Sequence, residues 1–209
     1  MNRALGTMIG ASATYGFSIG AVHSWLYATR NLLKFPLLLL CTGAVCALAY
    51  FVLARFFGTP LSFRRVQGLV LEIFRDLAVL LASLAPVTLF LALSLQEPVG
   101  EDLGEYPFFQ GLNVIAIALC GCLAVARQAT ALRTDYRLQG RLIVPLLTGW
   151  MALSLFAGGQ CAWYLRPFFG IASRIDNNPP FCMGTTPDFR GARSFYEAVY
   201  NLVDPPRSH

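Results

Sequence analysis

Apolar residues fall into five long runs separated by short polar breaks, and that pattern predicts an all-helical chain. The first run spans about Ala4 to Tyr27 and is diluted by Gly, Ala, Ser and Thr. The second spans Phe35 to Phe57, after the break Thr29-Arg30-Asn31. The third follows a turn at Gly58-Thr59-Pro60 and is purely apolar from Leu77 to Leu95. The fourth spans about Phe108 to Ala126, and the fifth Leu142 to Leu165. Each is near the ~20 residues that a helix needs to cross a hydrocarbon core, where every backbone polar group must be satisfied within the segment.

The third run has a lead-in, Leu61 to Asp76, in which Arg64, Arg65, Glu72, Arg75 and Asp76 interrupt the apolar positions. Thr59 is the expected N-cap, with Pro60 at the first helical position. The lead-in is expected to form an amphipathic helix at the membrane surface. The predicted fold is therefore an all-α polytopic integral membrane protein. It has about five transmembrane helices in residues 1–165, one interfacial amphipathic helix, and an extramembrane C-terminal tail in residues 166–209. Within the tail, residues 195–203 fit a short amphipathic helix.

Composition supports the membrane. The 209 residues are 56% hydrophobic and only 13% charged, against about 25% charged in soluble domains. Gly6, Gly10, Gly16 and Gly20 break up the first run, which therefore does not resemble a signal peptide. The net charge of +5 is almost all arginine, Lys34 being the sole lysine. Its distribution predicts orientation. Arg55, Arg64 and Arg65 flank one connection, and Arg127, Arg133, Arg137 and Arg141 flank another. The connection between them carries Glu97, Glu101, Asp102 and Glu105 and no basic residue. The basic connections and the N-terminus are expected inside, on the cytoplasmic face, and the acidic connection and tail outside. Arg30 and Lys34 oppose this scheme mildly, since they fall in the expected outer loop.

Candidate chemistry is sparse. Gly6-x-x-x-Gly10 and Gly16-x-x-x-Gly20 are small residues at the spacing that lets helix backbones approach in lipid. Glu72, Arg75 and Asp76 cluster at helical spacing and, if buried, would suggest an ion path, with Glu72 and Arg75 pairing at i, i+3. Arg133, Arg137 and Arg141 would share one helix face and meet anionic lipid headgroups. Gln160, Trp163 and Tyr164, then Arg166 and Pro167, end the last run as an interfacial anchor: amphipathic groups, a snorkelling arginine and a helix stop. Cys161 and Cys182 form a possible outer pair, while the other four cysteines read as small apolar side chains. His23 reads as an interfacial histidine rather than a haem ligand. No HExxH, G-x-S-x-G or P-loop is present, so the chain is expected to be non-enzymatic. No metal site, cofactor or nucleic-acid partner is expected.

Three stretches carry a resemblance. They are Lys34-Phe35-Pro36, then Gly58-Thr59-Pro60-Leu61-Ser62-Phe63 leading to Ala82-Ser83-Leu84-Ala85-Pro86-Val87, and Gly158-Gly159-Gln160-Cys161-Ala162-Trp163-Tyr164-Leu165-Arg166-Pro167-Phe168. Together they resemble an uncharacterised bacterial family of multi-pass membrane proteins, whose cyanobacterial members are sometimes labelled actin-binding WH2-domain proteins. The third run is more loosely similar to Yip1-type membrane proteins. The resemblance implies the helical membrane fold and no catalytic residues. Three functions remain open. The leading one is a non-catalytic accessory subunit or assembly factor, partnered by other integral membrane proteins and anionic lipids. The second is a small transporter or channel, with Glu72, Arg75, Asp76 and Gln160 as its polar groups. The third is a trafficking or lipid-organising protein.

Overall fold

The computed structural model describes residues 2–22, 24–95, 106–134 and 140–165. Within them the chain forms five helices and no strand: α1 Asn2–Gly20, α2 Trp25–Phe56, α3 Phe63–Ser94, α4 Tyr106–Thr134 and α5 Gly140–Leu165. Helices α2 to α5 are long and apolar enough to cross a membrane. The shorter, glycine-diluted α1 does not meet that measure, so four helices rather than five qualify by length and composition.

The first break lies earlier than the sequence pattern suggests. Thr29-Arg30-Asn31 does not interrupt a helix; α2 starts at Trp25, with the Ser24 hydroxyl accepting the Tyr27 backbone N–H at 3.3 Å. None of those three residues is a helix breaker, and the Ser24 cap fixes the start. Arg30 and Lys34 are therefore helical, not loop residues. The Arg30 guanidinium lies 5.7 Å from the Tyr27 ring centroid, and Lys34 is buried at 2% exposure.

At the far end of α2, Gly58 has φ +67°. Its N–H donates to Arg55 O and that of Thr59 to Ala54 O, which closes the helix in a Schellman turn. The Thr59 hydroxyl also donates to Ala54 O at 2.8 Å. Thr59 thus ends α2 instead of capping α3, whose N-cap is Ser62. The lead-in and the third apolar run form one helix of 32 residues, not a surface helix followed by a crossing one. Pro36, Pro86 and Pro145 sit inside helices, as membrane helices tolerate.

Register pairs define the packing. Phe51 meets Phe63, and Gly43 faces Phe74, so α2 and α3 run antiparallel. Trp150 stacks on Tyr50 while Gly158 faces Thr42, so α5 is antiparallel to α2 as well. Helix α4 packs against α3 and α5 and closes a four-helix ring. Helix α1 lies antiparallel to α2 and also packs on α3. Lipid tails supply no hydrophobic drive between helices, so close approach and polar contacts carry the assembly.

Two polar nodes do this. The Tyr15 hydroxyl donates to Asn113 Oδ1 at 2.8 Å, and Asn113 Nδ2 donates to Phe109 O at 2.8 Å, tying α1 to α4. On α2 and α5, the Tyr50 and Ser154 hydroxyls are hydrogen-bonded, and Trp150 Nε1 donates to Tyr50 O at 3.3 Å. Large apolar side chains such as Val52, Phe56, Phe90, Leu93, Leu119 and Val144 point outward, as lipid-facing positions should. Replacing Tyr15 with Phe orphans Asn113 Oδ1. The expected loss is roughly 0.6 kcal/mol, and up to ~1.7, measurable as a fall in unfolding temperature in detergent.

An apolar slot as the candidate functional site

The helical ring is not filled. An interior cavity of ≈ 540 Å³ runs between α2, α3, α4 and α5, within the ~300–1,000 Å³ range of ligand pockets. Its floor is α2 and α3, with Phe35, Leu39, Thr42, Phe74 and Leu81 all buried. Its other wall runs from Val114 to Val125 on α4 and from Met151 to Ala162 on α5, roughly 16 Å of helical rise. The cavity is therefore a slot along the bundle axis.

Small residues create it. A Cβ added at Gly121 would meet nothing within 4 Å, and one at Gly158 would meet only Thr42 Cγ2 at 3.7 Å. Ala118, Ala152, Gly159 and Ala162 extend the same surface. Toward one end, Cys122 Sγ meets Met151 Sδ at 3.3 Å, joining α4 to α5. The side is open, because four lining residues are also outward-facing: Ala152, Val114 at 52% exposure, Leu155 at 53% and Phe156 at 59%. That mouth lies between α4 and α5, on the flank a bilayer would cover.

The polar groups of the lining are turned away or occupied. Ser154 is engaged by Tyr50, and the Cys122 thiol by Met151. Thr42 Oγ1 is enclosed and has no hydrogen-bond partner. A hydroxyl left so costs about 1–3 kcal/mol, and the structure accepts that cost while the slot stays apolar. The lining includes no Asp, Glu, Lys or Arg. A smaller cleft of ≈ 200 Å³ lies between α1, α2 and α3, beside Met8, Gly43, Gln67 and Phe74.

The residues singled out in the sequence are distributed around this slot, not in it. The two glycine pairs divide. Gly16 and Gly20 are clamped on α2: a Cβ at Gly16 would lie 2.5 Å from Asn31 O, and one at Gly20 would lie 2.5 Å from Tyr27 O. Gly6 and Gly10 face open space. The expected Glu72–Arg75 pair does not form. Arg75 Nη2 instead holds Asp76 Oδ1 at 2.7 Å, Glu72 is exposed, and none of the three lines the slot. Adjacent residues on one helix met because the Arg75 side chain folds back on its neighbour.

Arg133 ends α4 and Arg141 begins α5, so the two belong to different helices and do not form one continuous helical face. The fourth apolar run continues as helix two turns past Ala126 because nothing before Thr134 breaks it. Gln160 and Trp163 are half-buried on the last turns of α5, and Tyr164 is exposed. Gln160 is flanked by the slot residues Gly159 and Ala162. His23, Arg137, Arg166, Pro167, Cys182, the acidic connection and the tail lie outside the described residues; Cys161 is a half-buried free thiol. Among the described residues, no three His, Cys, Asp or Glu gather as metal ligands.

The slot is not legible in the sequence. The available signal was the run of small residues on α4 and α5, which in lipid usually marks close helix packing. No known protein family, curated protein or solved structure matches the chain. The fold and site together define an all-helical protein of membrane-spanning build with an apolar slot in its helical ring.

Proposed function

We propose that the protein is a non-catalytic membrane protein that holds a lipophilic molecule between its helices, in the lipid-organising class. The observation that carries this is the slot itself: ≈ 540 Å³, apolar on all four helices and open on one flank. A dry void of that size forfeits dispersion contacts along its whole lining, and water gains no partners there. An apolar occupant restores the contacts. Energy transfer from tryptophan to a pyrene-labelled fatty acid tests this in detergent solution. Transfer should saturate at one probe per protein and fall away in Gly121→Leu, which fills the slot. A linear, unsaturating rise identical in both proteins would mean bulk partition only.

In the membrane we place α1 as a fifth crossing. Its 19 residues rise about 28 Å, close to the ~30 Å core. The register puts Arg55, Arg64, Arg133 and Arg141 at one end of the bundle, all exposed. By the positive-inside rule that end, with the N-terminus, faces the cytoplasm, and the C-terminus faces out. Anionic headgroups are the natural counterpart of these arginines. A cysteine placed at Ser94 should react with an impermeant maleimide in intact cells, and one at Thr134 only after lysis; the reverse pattern would invert the topology.

A second role is favoured by the open Gly6 and Gly10 positions. They leave one side of α1 accessible to a helix of another membrane protein, as an accessory subunit would require. Gly10→Leu should then abolish co-purification of that partner without changing the stability of the isolated chain.

A further inference from the structure

We infer that the occupant of the slot is one hydrocarbon chain of a bilayer lipid, admitted sideways between α4 and α5. This rests on the slot being a lipophile site and adds which lipophile and by what route.

The lining chemistry selects the occupant. Pockets for polar-headed small molecules combine an apolar wall with a few hydrogen-bonding groups that fix orientation. Here each such group is withheld: Thr42 Oγ1 is enclosed, the Ser154 hydroxyl is held by Tyr50 and the Cys122 thiol by Met151. What the slot offers is methyl, methylene, the rings of Phe35, Phe74 and Phe156, and backbone at Gly121 and Gly158. A ligand with a carbonyl or hydroxyl in its body would lose its hydration and find only the enclosed Thr42 hydroxyl without a partner. A saturated or isoprenoid chain loses nothing.

The route follows from the exposed lining. Val114, Leu155 and Phe156 belong both to the slot and to the outer surface of the bundle. The α4 and α5 flank is otherwise apolar, with Ile115, Leu119 and Val144 exposed. Bilayer lipid is the medium against that flank, so a chain reaches the slot without crossing water. The Cys122–Met151 contact links α4 and α5 toward one end of the slot. Toward the other end, α5 carries the lining residues Gly158, Gly159 and Ala162, and its last turns hold the half-buried Gln160 and Trp163, an amphipathic pair suited to the headgroup level. The chain lies inside while its headgroup stays at the interface. Glycines 121 and 158 set the bore, which gives them a role distinct from helix packing: neither is pressed by a neighbour as Gly16 is.

The test uses the full chain in phosphatidylcholine vesicles carrying a diazirine midway along one acyl chain. After irradiation, the inference expects label on lining peptides of α4 and α5 and on the α2 floor around Thr42. Gly121→Leu should lose the floor label, and Gly68→Leu should keep it, because Gly68 is equally open but lies away from the slot. Gly158→Val fills the slot from α5 if the first variant does not fold, and the position of the label in the unaltered chain decides the matter independently. Label confined to outward residues such as Leu119 and Leu123, or floor label unchanged by filling, overturns the inference. Saturable pyrene-probe binding without any phospholipid label on the floor overturns it too, while leaving the lipophile site standing. Failure of both probes removes the site altogether.

Discussion

Gly16→Ala should rank, with Gly20→Ala, among the most damaging single-methyl changes at the described glycines. The added Cβ would sit 2.5 Å from Asn31 O and 2.6 Å from Phe35 Cβ, against a helix backbone and the root of a ring. Neither can swing aside as a flexible side-chain tip would. Relief requires α1 to separate from α2, which also pulls on the Tyr15–Asn113 hydrogen bond one residue away. Overpacking typically costs about 1–3 kcal/mol, and here the contact is with backbone, so the upper part of that range is expected. Gly10→Leu, with open space around it, should stay within about 0.5 kcal/mol. Thermal unfolding in one detergent compares the two. Equal shifts would mean that α1 does not dock through its second glycine pair.

Trp150→Ala is the second large effect. Trp150 has 0% exposure, its ring stacks on Tyr50 at 4.6 Å between centroids and 2° between planes, and its Nε1 donates to Tyr50 O. Truncation leaves a cavity at the α2–α5 seam, for which about 3–5 kcal/mol is usual. Trp150→Phe keeps most of the ring and loses the hydrogen bond, a smaller cost of about 1 kcal/mol. The alanine variant should also loosen the α5 wall of the slot, since Ser154 is held by the same Tyr50. An alanine variant as stable as the phenylalanine one would show that the stack contributes little.

Particular residues show why some of this was readable in advance. The helix cores of α2 to α5 were legible because membrane residence forces long uninterrupted apolar runs. Gly58 was legible as a turn because few other residues adopt a positive φ there. The start of α2 was not, because Asn31 and Lys34 look like loop residues until they are seen buried in the bundle. Polarity alone does not separate a connection from a buried polar site. Gly16 and Gly6 carry the same motif in sequence, yet one is clamped and the other open. Only the placement of a neighbouring helix tells them apart. The slot was hidden for the same reason: Gly121 and Gly158 face a space that exists only once four helices are assembled. The arginines of the α4–α5 connection were legible as a basic end, but not as residues of two different helices.

The two clamped glycines and the slot glycines therefore work in opposite senses. Gly16 and Gly20 remove space so that α1 can seat, and Gly121 and Gly158 preserve space so that a chain can enter. Filling the first pair should destabilise the bundle, while filling the second should leave it folded and empty.

Native mass spectrometry of the protein released from lipid nanodiscs tests this most directly. The unaltered chain and Gly68→Leu should each retain one lipid after the surrounding lipid is stripped. Gly121→Leu should fly as bare protein with an unchanged unfolding temperature. Equal lipid retention in all three proteins, or none in any, would contradict a lipid-filled slot.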